Sequence, residues 1–191
     1  MNFQRRLLLV LAGIILATMP VMAQSAAPVR SYQQLTLSER RGFVAQQARS
    51  VARKMSGTEY QFTPEFEAEI QQAVEAYAAR IGNGGGDRLW KGEARFVFER
   101  GQSYAPILIN AFRAQGVSPL MGLYIPLVES EYVNLQTPNS VGALGLFQFL
   151  PRTGERFGLT TQELLDVEKS ADAAARYLAK NLALFQGDKM K

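Results

Sequence analysis

Apolar positions in this chain recur at helical spacing, and no long alternating run demands a sheet. Leu37, Val44, Ala48, Val51 and Met55 fall on one face of a first helix. Thr36-Leu37-Ser38-Glu39 has the spacing of a capping box that starts it, and Gly57 is a good stop. Thr63-Pro64-Glu65 opens a second helix with the stripe Phe66, Ile70, Val74, Tyr77 and Ile81. The run Gly82-Asn83-Gly84-Gly85-Gly86 ends it and reads as a domain boundary. Beyond it the chain reads as short helices. One closes at Phe98-Glu99-Arg100-Gly101, and the next is capped by Ser103 and runs from Tyr104 to Gln115. A third starts at Ser118-Pro119, and a last is capped by Ser170 with Ala174, Leu178, Leu182 and Phe185 on one face.

Composition narrows the chemistry. The chain has no Cys and no His, so disulfides, thiolate catalysis, Ser–His–Asp arrangements and Cys- or His-ligated metal sites are excluded. A general acid/base must then be Glu, Asp, Tyr or Lys. No metal and no cofactor is expected.

The N-terminus reads as an address. Arg5 and Arg6 precede an apolar core, Leu7 to Met19, too short to span a membrane comfortably, and Val21-Met22-Ala23 suits cleavage after Ala23. Residues 1–23 are therefore expected to be a signal peptide, with a retained anchor as the alternative. Without Cys there is no lipoprotein acylation site, so the product is expected in the periplasm. The remainder is close to charge balance, which does not suggest a nucleic-acid binder. Arg40, Arg41, Arg49, Arg53 and Lys54 make the first helix basic, and Glu65, Glu67, Glu69 and Glu75 make the second acidic. The basic helix reads as a solvated packing helix, with attraction to anionic lipid or cell-wall polymer as the sharper alternative.

The chemistry centres on Glu129. Leu123-Tyr124-Ile125-Pro126-Leu127-Val128 precede it without a charge, and Pro126 is expected to bend that helix. A carboxyl among apolar side chains loses hydration, which raises its pKa and suits it to donate a proton. Alone, such a Glu is more commonly a surface residue at a helix end. The residues after it change that assessment: Glu129-Ser130, Ser140, Gly142-Ala143, Gly145-Leu146-Phe147-Gln148, Pro151-x-Thr153-Gly154 and Phe157-Gly158-Leu159 follow in order.

This series resembles the catalytic domain of lytic transglycosylases of the soluble-lytic-transglycosylase type, closest to the membrane-bound type D branch, over roughly Gly101 to Asp188. The resemblance implies a mainly α fold, a lysozyme-like helical domain over 87–191 preceded by a helical extension over 24–86. It implies cleavage of the β-1,4 link between N-acetylmuramic acid and N-acetylglucosamine, leaving a 1,6-anhydro ring. Glu129 would be the acid/base. Ser140 and Gln148 would hydrogen-bond substrate, Gln148 also orienting Glu129, with Ser130, Gly142 and Ala143 completing the substrate-binding set. The alternative for Ser130 is packing alone, and for the glycines turns and nothing more. Tyr124 and Phe147 read as core, with sugar stacking the alternative. Glu131, the nearest second acid, would point away on a continuing helix. The expected partner is the peptidoglycan glycan strand, with cell-envelope machinery a further possibility.

One departure bears on activity. In the family, a Gly-Asp like Gly187-Asp188 leads into a helix with an Ala-Tyr-Asn motif, whereas this sequence stops at Lys191. The domain is therefore expected to be incomplete at its C-terminus and weak in turnover. The alternatives are a catalytically inactive peptidoglycan-binding or assembly module and hydrolysis in the manner of goose-type lysozyme.

Overall fold

A computed structural model describes residues 30–184. The expected signal peptide, most of the linker after it, Phe185 and Gly187-Asp188 lie outside them. The described part is mainly helical and falls into two compact units, one through Asn83 and one from Gly84.

In the first unit α1 spans Leu37–Ser56 and α2 spans Pro64–Ala78. The Thr36 side chain accepts from the Glu39 N–H while the Glu39 carboxylate accepts from the Thr36 N–H, completing the capping box. Gly57 closes α1 in the left-handed conformation (φ 79°). Val44, Ala48, Val51, Ile70 and Val74 are buried between the helices. Leu37 is not on that face; it lies in the first turn and is exposed. Ile81 is also exposed, because α2 ends at Ala78 and the stripe does not continue. The opposed charges of the two helices do pair, Arg40 with Glu75 at 2.9 Å and Arg49 with Glu67 at 2.8 Å. These solvent-accessible pairs each stabilise by at most about 1 kcal/mol.

In the second unit α3 spans Ala94–Ala114, α4 Pro119–Ser130, α5 Pro151–Glu155 and α6 Val167–Leu184. The break expected at Gly101 and Ser103 is absent: α3 runs unbroken through both and through Pro106. Gly101 is there for packing. A Cβ on it would lie 2.6 Å from the Tyr132 ring. The Ser103 hydroxyl bonds back to the Arg100 carbonyl instead of capping a new helix. Ser170 is likewise not a cap. It is buried inside α6, and Asp166 caps that helix by accepting from the Lys169 N–H at 3.0 Å.

Helix α3 packs against α4 and α6. Leu108 and Phe112 are fully buried, each side chain stabilising by about 1.5–3 kcal/mol. Gly122 on α4 leaves room for the Phe112 ring, which a Cβ would approach to 2.7 Å. Buried Ala171, Ala174 and Ala175 give α6 a small-residue face. The result is a helical platform that carries the C-terminal end of α4.

Candidate functional site

Helix α4 is long on apolar residues and short on polar ones, so its body is buried: Gly122, Tyr124, Pro126, Leu127 and Val128 all lie inside. It continues through Pro126 to Ser130. Glu129 sits in its last turn and is half-buried. Tyr124 is buried, so its ring belongs to the core, and that burial pushes its hydroxyl up to about 12.

The helix end is fixed by the residues that follow Glu129. The Ser130 side chain is fully buried, its hydroxyl 2.8 Å from the Leu146 carbonyl and 3.1 Å from the Pro126 carbonyl. It therefore holds the helix to the loop and does not reach solvent, the packing alternative for this residue. Glu131 and Tyr132 both take positive φ, 47° and 59°. Left-handed backbone costs a residue with a side chain on the order of 1–2 kcal/mol, and specific bonds hold both here. The Tyr132 hydroxyl donates to the Leu123 carbonyl at 2.6 Å.

Glu131 does not sit on a continuing helix. The helix stops one residue before it, and its side chain turns inward to 0% exposure. Its Oε2 accepts from the Trp90 backbone N–H at 2.8 Å, and the Arg100 guanidinium donates through Nε to its carbonyl at 3.1 Å. A cation there also suits the negative end of the helix dipole.

The second half of the site is the segment from Asn134 to Leu150. Bridges pair Leu135 with Gly145 and Leu144 with Phe149. Gly145 (φ 77°) is required on two counts, since a Cβ would also lie 2.4 Å from the Leu164 carbonyl oxygen. Gly142 (φ 83°) needs its freedom only for the turn, with open space where a Cβ would be. Ala143 is buried beneath that turn. Leu146 is buried, and Phe147 lies between Phe112 and Phe149 with ring centroids 6.1 and 6.2 Å away.

Gln148, at φ 50°, is half-exposed between the buried Phe147 and Phe149. Its carboxamide is held at both ends: Nε2 donates to the Gly145 carbonyl at 2.9 Å, and Oε1 accepts from Asn139 Nδ2 at 3.1 Å. Asn139 is the residue that sequence reasoning missed. Its Oδ1 accepts from the Val141 and Ala143 N–H groups at 2.9 and 3.0 Å, closing the turn. Asn after Pro138 is a known turn former, and that was the available signal. Ser140 lies next to it, exposed at the turn.

The arrangement brings Glu129 and Gln148 to either side of one buried contact, because Ser130 follows the first and Leu146 shortly precedes the second. Glu129 is a half-buried carboxyl, and Gln148 is an oriented amide with hydrogen-bonding capacity to spare. That pairing suits proton donation to a polar, uncharged ligand held by hydrogen bonds.

Residues 107–191 match the family described as transglycosylase SLT domain. The match takes in Glu129, the Gly142–Gln148 turn and α6, and with the mainly helical fold it supports a lysozyme-like lytic transglycosylase domain in this part of the chain. Searches of curated proteins and of solved structures found no match.

Proposed function

We propose that the second unit cuts the β-1,4 bond between N-acetylmuramic acid and N-acetylglucosamine in peptidoglycan without using water, with Glu129 as its one acid/base. The observation that carries this reading is the fate of Glu131. Glycosidases that activate water, or that form a covalent intermediate, use two carboxyl groups flanking the bond. The neighbouring carboxyl here is fully buried and spent on the Trp90 N–H. Glu163 is engaged by Lys169 and Thr160, and Asp166 caps α6.

One carboxyl suffices if the substrate supplies the nucleophile. The Glu129 carboxyl gives its proton to the glycosidic oxygen, and the bond from that oxygen to C1 of the muramyl sugar breaks. The departing N-acetylglucosamine leaves with a free 4-hydroxyl. The 6-hydroxyl of the same muramyl sugar then bonds to C1, and its proton passes to the Glu129 carboxylate. The product carries a 1,6-anhydro ring and the acid is restored. Gln148, held by Asn139 and Gly145, presents its remaining amide capacity to acetamido or hydroxyl groups, and the exposed Ser140 adds a hydroxyl beside it. On this reading the motif spacing resembles that of the membrane-bound type D branch.

The test is digestion of sacculi followed by mass spectrometry of the released muropeptides. Anhydro ends are expected; mainly reducing ends would place the protein with the hydrolases. The same reading puts the protein in the periplasm, its chain beginning at Gln24. N-terminal sequencing of periplasmic material checks this, and an intact Met1 form in the membrane pellet would contradict it.

A further inference from the structure

Trp90 is the chain's only tryptophan, and 46% of its surface is exposed. It stands in left-handed backbone (φ 63°), a conformation that bulky residues rarely adopt. The loop around it is tightly closed. The Gly92 N–H donates to the Arg88 carbonyl at 2.6 Å, the Glu93 N–H to the Gly86 carbonyl at 2.7 Å, and Arg88 Nε to the Gly85 carbonyl at 2.9 Å. Gly92 is boxed in by backbone, a Cβ there meeting the Arg88 carbonyl at 2.5 Å. The Trp90 N–H itself is gripped by the buried Glu131 carboxylate. A rigid loop, a strained backbone and a buried acid thus combine to fix one residue whose ring is not used to fill the core.

The position of that anchor gives the ring a purpose. Glu131 lies two residues after Glu129, so the Trp90 backbone is fastened to the same end of α4 that presents the acid. We propose that Trp90 is a sugar-stacking platform at the edge of the Glu129 site, taking the apolar C–H face of an N-acetylated hexose in the glycan strand. Indole offers a large flat apolar face with little conformational freedom to lose, and the fixed loop removes most of what remains. Glu131 is then the positioning residue that ties the platform to the acid. This inference rests on the proposed action at Glu129 and adds a binding residue outside the matched segment, which begins at residue 107.

Because the tryptophan is unique, its emission reports on this ring alone. The experiment titrates peptide-free glycan strands into the full Glu129→Gln chain and reads both heat and tryptophan fluorescence. The expected result is a saturable emission change that tracks the heat. Adding Trp90→Ala should weaken calorimetric affinity about tenfold, the value of one well-placed ring, while Trp90→Phe retains most of it. Heat without an emission change, or a folded Trp90→Ala chain that binds as tightly as its parent, overturns the platform and leaves the Glu129 reading standing. No heat at all overturns both. If Trp90→Ala fails to fold by circular dichroism, the emission titration on the intact tryptophan decides.

Discussion

The Ser130 hydroxyl lies 2.8 Å from the carbonyl oxygen of Leu146, with neither side chain open to solvent. One small polar group thereby joins the helix that ends in Glu129 to the turn that ends in Gln148. A hydroxyl is the right size and has one proton to give. The Pro126 carbonyl at 3.1 Å supplies a second acceptor on the helix side.

Ser130→Ala removes that link and leaves a buried carbonyl short of a partner, which costs about 1–3 kcal/mol. Urea unfolding of the second unit should show the loss. Cleavage of sacculi should fall further than stability alone accounts for, because the distance between Glu129 and Gln148 is no longer held. Full activity in a destabilised variant would reduce Ser130 to a packing residue.

The two turn glycines should respond differently to the same change. Gly142→Ala meets nothing within 4 Å and carries only the left-handed backbone penalty, about 1–2 kcal/mol. Gly145→Ala adds a clash with the Leu164 carbonyl oxygen at 2.4 Å, so the turn cannot close. Thermal melts should show a modest shift for the first and a severely destabilised or unfolded second unit for the second. Equal shifts would contradict the tight approach.

Asn139→Ala removes the turn's internal acceptor and the donor that orients Gln148. The turn bonds lost are worth on the order of 1 kcal/mol each. The expected kinetic signature is a raised KM with a smaller change in kcat, since Asn139 acts on substrate binding through Gln148. A change confined to stability would show that Gln148 is placed without it.

Much of this architecture is legible residue by residue, and its failures have a common cause. The capping box at Thr36 and the Pro64 start are local, and both form as the sequence predicts. Gly101 and Ser103 look like a local stop but are not one, because the missing Cβ is demanded by the Tyr132 ring, which is distant in sequence. Ser170 looks like a cap, yet Asp166 starts the helix earlier. The direction of Glu131 is read on a continuing helix, but the helix ends at Ser130 and the left-handed turn at Glu131 buries its carboxylate. Glu129, Gln148 and the glycines around the turn stand out as a series, whereas Asn139 and Trp90 matter through contacts that only folding creates.

The acid side of stability has a specific contributor. The Lys169 ammonium, with the Thr160 N–H and hydroxyl, holds the Glu163 carboxyl down to about 2. A depressed carboxyl stabilises the fold fully above its unfolded value of about 4.3, and that contribution fades as pH falls toward the folded value. The stability difference between the parent and Glu163→Gln should therefore be constant above about pH 5 and shrink from there toward pH 2. A difference independent of pH across that window would show that the ionised carboxylate is not what Lys169 and Thr160 recognise.

The most direct measurement replaces the acid itself. Glu129→Gln keeps the shape of the side chain but cannot donate as a carboxylic acid does, and general acid/base help is worth about 10²–10⁴-fold. The variant should fold with the parent's circular dichroism and melting behaviour, still bind peptide-free glycan strands, and release anhydro-muropeptides from sacculi slower by that factor. Release of the same products at the parent rate would contradict the account, because Glu129 would then not be the group that moves the proton.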